Sequence, residues 1–144
     1  MKRFFCALMT LIFLPAFAFA LDLQDFNDYA AVLGASEIDI KQAKKSGKYT
    51  GIVSDDCSIY FVEENEKLQS IIIDGKGDSY LAYCCAAIRT FDPSGSTTQN
   101  HGQLLTMYLL AHNASEHQTG QTSNGIFFFV EPSKTGFLFM IGEH

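Results

Sequence analysis

Basic residues are scarce in this 144-residue chain, which sets ten Lys and Arg against sixteen Asp and Glu for a formal net charge of −6. A phosphate-binding surface needs cations, so nucleic acid is excluded as a partner. The chain also lacks a glycine-rich phosphate loop, a G-x-S-x-G elbow and an H-E-x-x-H pair, which removes the common nucleotide, serine-hydrolase and zinc-protease chemistries. After the first twenty residues no apolar run approaches the roughly 20 residues of a membrane-spanning helix, so no stable membrane insertion is expected of the remainder.

What is present begins with those twenty residues, MKRFFCALMTLIFLPAFAFA. Lys2 and Arg3 form a cationic start, Phe4 to Phe17 an apolar run too short to span a bilayer, and Ala18 and Ala20 the small residues before a cleavage point at Leu21. Pro15 interrupts the run and Asp22, Asp25 and Asp28 follow at once, which argues for a cleaved leader over a retained anchor. The expected mature chain is one α+β domain over residues 21–144, exported to the periplasm or secreted. The short, lysine-led leader has a bacterial character. Loss of Lys2 and Arg3 takes the formal charge from −6 to −8. An acidic body suits solubility or a cationic protein partner. Lys41, Lys44, Lys45 and Lys48 form the only basic cluster and read as a solvated face.

Export also changes the cysteines. Cys6 departs with the leader, leaving Cys57, Cys84 and Cys85 in an oxidising compartment. One disulfide and one thiol are expected, the bridge joining Cys57 to Cys84 or Cys85. Closing a loop of that size contributes on the order of 3 kcal/mol.

Leu23, Phe26, Ala30 and Leu33 recur at helical spacing and Gly34 offers a stop, so a short first helix is expected. A second helical segment follows, capped at Ser36 and ended by Gly47. Residues 49–54, 57–63 and 68–73 read as successive antiparallel strands. In 79–91, Leu81, Cys84, Cys85 and Ile88 fall on one helical face, three alanines favour helix, and Pro93 lies beyond its end. Residues 104–112, 126–131 and 136–141 read as three further strands, the last two a phenylalanine-rich hairpin packed on both sides or nearly so. The polar tracts 94–103 and 112–125 read as surface loops. The expected fold is α+β: N-terminal helices, then an antiparallel sheet of about six strands in the order βββ-α-βββ, with helices on one face.

Three constellations bear on chemistry. The string DDCS at Asp55 to Ser58 resembles the Asp-Cys-Ser start of the active-site helix in the NlpC/P60 cell-wall peptidases, and His101 with Gly102 stands where that family places its histidine. The resemblance implies a helix opening at Cys57, with Cys57 as nucleophile and His101 as its base. The family has glycine after the serine, whereas Ile59 here opens a β-type run. His101, His112, Glu116, His117 and His144 have metal-ligating side chains but no compact spacing, so no metal or other cofactor is expected. Paired acids such as Asp55 with Asp56 read as turn residues.

Export, small size, an acidic body and the missing catalytic set together point to a non-enzymatic protein-binding domain of inhibitor or immunity type, acting through one sheet face or its polar loops. The alternative is a small cell-wall cysteine hydrolase using Cys57 and His101.

Overall fold

The computed structural model describes residues 23–143, so the leader, its cleavage point and His144 lie outside the described residues. Helix α1 covers residues 23–32. Leu23, Phe26 and Ala30 form its buried stripe, and Gly34, at φ +93°, ends it while the Ala35 N–H bonds back to the Ala30 carbonyl. The segment that follows is not the expected helix. It holds a single 3₁₀ turn, Ile40–Gln42, and a short edge strand β1, Lys44–Ser46, because its lysines leave no apolar stripe to bury.

Strands β2 (Tyr49–Ser54), β3 (Cys57–Glu64) and β4 (Lys67–Gly75) form the expected meander. Two-residue turns connect them. Asp55 and Asp56 both take positive φ, as do Asn65 and Glu66, the geometry of turns whose twist matches that of the flanking strands. Helix α2 (Gly77–Phe91) occupies the segment expected to be helical and buries Cys84, Ala87 and Ile88 among others.

The stretch expected to form a loop and then a strand is helix α3, Thr97–Ala114. Its first two turns are polar and its later turns apolar on nearly every side, so period-two and helical readings of 104–112 look alike. Ser96 starts the helix, its Oγ accepting from the Gln99 N–H. The buried and half-buried residues Asn100, Leu104, Met107, Tyr108 and Ala111 then follow at helical spacing. The second polar tract likewise yields structure, a short edge strand β5, Gln118–Gln121. Strands β6 (Phe127–Pro132) and β7 (Phe137–Gly142) form the expected hairpin.

The chain is therefore α+β, with one seven-stranded antiparallel sheet in the order β1-β2-β3-β4-β7-β6-β5. β4 is the middle strand and β7 lies beside it, paired to β4 and β6. One sheet face packs against the helices: Ile52, Ile59, Phe61, Ile71, Ile73, Phe139, Ile141, Phe128 and Val130 join residues of α1, α2 and α3 in a single core cluster. Phe26 of α1 meets Phe61 edge-on at 5.4 Å and stacks on Tyr83 of α2 at 6.1 Å. Such aromatic pairs add to the burial term and fix how the helices sit on the sheet.

Candidate functional site

Cys57 is fully buried as the first residue of β3, so the helix that the peptidase resemblance implies is a strand. Its sulfur packs against Gly75, where a Cβ would stand 2.6 Å away. Burial pushes the thiol pKa up, and the carboxylates of Asp55, Asp56 and Asp74 add to that shift against a hydrogen bond from the Lys76 N–H. An attacking thiolate needs the opposite environment. Asp55, the first residue of the motif, is a turn residue that ties the hairpin to the rest of the molecule. It accepts from the Ser36 N–H at 2.6 Å and Ser36 Oγ at 2.7 Å, bonds that hold its carboxyl below the usual range, while the Tyr83 hydroxyl approaches at 3.3 Å.

His101 stands on α3 and not before a strand. The Tyr29 hydroxyl lies 3.1 Å from its Nε2, and burial lowers its pKa, favouring the neutral ring. It lines a cleft of about 210 Å3 with Tyr29, Cys85, Arg89, Asp92 and Asn100. Cys57 is not among the residues of that cleft. The thiol that is, Cys85, is pushed up to about 11 by burial. Arg89 lies over the Tyr29 ring at 4.4 Å. Asp92 is engaged structurally by Asn100, Ser123 and Asn124.

Among the described residues Cys57, Cys84 and Cys85 are free thiols, so the expected bridge from Cys57 to Cys84 or Cys85 is not formed. Cys84, fully buried, has its pKa raised well above the usual range by burial and, in smaller part, by the neighbouring Cys85 and Cys57; Cys85 instead faces the cleft. Cys57 and Cys84 both belong to the buried core cluster. The remaining histidines do not converge. His117 Nδ1 meets Glu131 Oε2 at 3.1 Å, His112 packs near Tyr108 and Phe137, and no group of three metal-ligating side chains occurs among the described residues.

A broad stretch of apolar surface lies on the far side of the sheet. The phenylalanine-rich hairpin expected to be packed on both sides is packed on one: Phe128, Val130, Phe139 and Ile141 enter the core, while Phe127, Phe129, Leu138 and Met140 point the other way. One row of paired residues crosses all seven strands on that face: Lys44, Gly51, Tyr60, Ile72, Met140, Phe129 and Thr119. Beside it Val53 is 75% exposed, Phe127 48%, Tyr49 43% and Tyr60 itself 40%. Two apolar grooves notch the face. One, of about 270 Å3, is lined by Phe127, Phe129, Met140 and Gly142, and the other, of about 260 Å3, by Tyr49, Gly51, Val53 and Tyr60. In the second, the Tyr60 ring lies against Gly51, where a Cβ would stand 3.0 Å from it.

Fold and surface together define a class: an α+β domain whose antiparallel sheet is covered by helices on one side and, among the described residues, left apolar and uncovered on the other. Comparison of the chain with protein-family models, with curated proteins and with solved structures finds no match.

Proposed function

We propose that the chain is an exported, non-enzymatic protein-binding domain of inhibitor or immunity type that holds its partner against the open face of the sheet. One observation carries this reading. A contiguous aromatic and aliphatic surface, centred on Tyr60, Ile72, Met140 and Phe129, has no covering element among the described residues. Patches of this kind, rich in Tyr, Phe and Met, are characteristic of protein docking surfaces. The polar tracts once available as binding loops are spent on α3 and β5, which leaves the sheet face as the larger surface. The partner is a protein, and the acidic body favours a cationic one. Export would supply the oxidising setting for Cys57 to pair with Cys84, a bridge that the structure does not contain.

The test is capture. The exported chain, immobilised, is presented with envelope extract and with the secreted proteins of competing cells, alongside its Tyr60→Asp and Phe127→Asp variants. A specific partner held by the wild-type chain and by His101→Ala, and weakened at least tenfold by both face variants, supports the reading. A partner retained equally by both face variants refutes it. The same preparation, denatured without reductant, should expose one reactive thiol, Cys85; three would show that Cys57 and Cys84 do not pair.

A further inference from the structure

Arg89 is the only arginine beyond the first twenty residues of a chain in which acids outnumber bases, yet among the described residues it joins no ion pair. Its guanidinium lies 4.4 Å over the Tyr29 ring, a stacking that steadies the planar group by one face and leaves its N–H edge for another partner. Two carboxylates stand close by and neither takes it. Asp92 lines the same cleft but spends its oxygens on Asn100, Ser123 and Asn124, and Asp25 lines a neighbouring cavity of about 230 Å3 that shares Arg89 and Pro93 with the first. The cleft is built by three helices. α2 contributes Cys85 and Arg89, one turn apart on one face, α1 contributes Tyr29, and α3 contributes Thr97 and His101, again one turn apart. Thr97 is the first residue of α3, so the cleft meets the positive end of that helix, where opening N–H groups have no partner within the helix. The Tyr29 hydroxyl engages His101 at Nε2 and leaves Nδ1 for a further partner.

We propose that this cleft binds a small monocarboxylate, its two oxygens paired side by side with the Arg89 guanidinium and with His101 and the Thr97 N–H as further donors. The chemistry of the cleft selects that ligand. A planar guanidinium fork matches the two oxygens of a carboxylate, and a point charge such as lysine does not. The cleft, at about 210 Å3, is smaller than the roughly 300–1,000 Å3 of sites for drug-sized ligands, so the ligand has few atoms beyond its carboxyl group. Ile88 and Pro93 supply a short apolar wall for them. Asp92 sets the charge. Its hydrogen bonds hold it ionised at the edge of the cleft, where it tolerates one negative charge beside Arg89 and repels the second charge of a phosphate. No residue of the cleft belongs to the sheet, so the site is separate from the open face.

An NMR titration of the exported chain with sodium propionate tests this, with sodium chloride at equal ionic strength as the reference. The expected result is saturable shifts at Cys85, Arg89, Thr97 and His101, half-complete at about 1–10 mM, the scale of one bidentate pair and a few added hydrogen bonds. A bound anion favours the protonated imidazole, so the His101 ring should titrate at higher pH when propionate is present. Arg89→Lys keeps the charge without the fork and should weaken binding about tenfold. Arg89→Gln should abolish saturation while the circular dichroism spectrum stays unchanged. Inorganic phosphate should bind at least about tenfold more weakly than propionate. Shifts that grow linearly up to about 100 mM would mean an adventitious additive only and overturn the proposal. Saturable shifts that survive Arg89→Gln overturn it too, as does phosphate binding more tightly than propionate. Arg89→Lys binding as tightly as the wild type overturns the bidentate pair. Capture of a protein by the sheet face is a separate readout, so either reading can fail without the other.

Discussion

Asp92 carries more of the tertiary structure than its single position suggests. It follows the last turn of α2, is 4% exposed, and accepts from Asn100 Nδ2 at 3.2 Å, Asn124 Nδ2 at 2.5 Å and the Asn124 N–H at 3.4 Å. Asn100 in turn accepts from the Ser123 N–H at 2.7 Å, and Gly95 is forced to be glycine because a Cβ there would run into the carboxylate. One side chain thus joins the end of α2, the first turns of α3 and the loop before β6. Burial alone would raise its pKa, but the hydrogen bonds from Thr122, Asn124 and Asn100 outweigh it and the pKa falls below the usual range. A carboxylate depressed in the folded state stabilises the protein above its unfolded pKa of about 3.9, and that contribution is lost as pH drops through the folded value. Asp92→Ala should therefore cost about 2 kcal/mol at pH 7, the usual size for donors stranded around a missing charge. Urea midpoints at pH 7 and pH 3 check it, and a gap between wild type and variant as wide at pH 3 as at pH 7 would contradict the charged network. Nothing in the sequence marks Asp92 as such a joint, because its partners come from two segments up to 32 residues away.

At the scale of elements, legibility followed how one-sided each segment's burial is. α1, β2, β3 and β4 each bury one clear stripe, so period identifies them, whereas 79–91 also reads as a passable strand and its alanines and Pro93 decide for the helix α2. α3 hides its nature because its apolar residues extend beyond the buried stripe: Leu105, Leu109 and Leu110 are exposed while Leu104 and Ala111 are buried. Its start was nevertheless written in the chain. Ser96 with Gln99 three residues on has the spacing of a capping box, of which the structure makes the Ser96 Oγ half while the Ser96 N–H donates to Ser123 Oγ instead. With no bulk of apolar contact in the first two turns, that cap bears on the whole polar half of the helix. Ser96→Ala should lower stability by about 1 kcal/mol and speed amide exchange over residues 97–101 ahead of the rest of α3. Uniform exchange along the helix in the variant would show that Asn100 and Asp92, not the cap, hold that end. The candidate site was less legible than the fold. The DDCS string gave Asp55 and Cys57 a catalytic look, yet the two positive-φ residues make it a hairpin turn, a role that Asp fills because its short polar side chain tolerates that backbone.

For the whole molecule the decisive property is the inequality of two chemically similar sheet faces. Alternation along FFFVEP and FLFMIG shows that both faces are apolar, but not that helices cover only one of them, since which side α2 and α3 cross is a matter of topology. The β4-to-β5 connection carries both helices over the face that holds Ile59, Ile73 and Phe139, and α1 joins them there. The other face keeps its Phe, Tyr and Met residues without a layer to bury them among the described residues. Neighbours in sequence should then respond in opposite ways. In dilute solution Phe128→Ala should cost about 3–5 kcal/mol, the range for emptying an aromatic site in a packed core. Phe127→Asp, one residue away on the open face, should stay within about 0.5 kcal/mol of wild type. Denaturation followed by circular dichroism separates the two. A large cost for Phe127→Asp in a dilute, monomeric sample would mean that something within the chain covers the face, and the binding surface would then have to be sought elsewhere, among the exposed leucines of α3. A small cost would establish that the aromatic face contributes little to folding, so that its apolar character needs a partner to account for it.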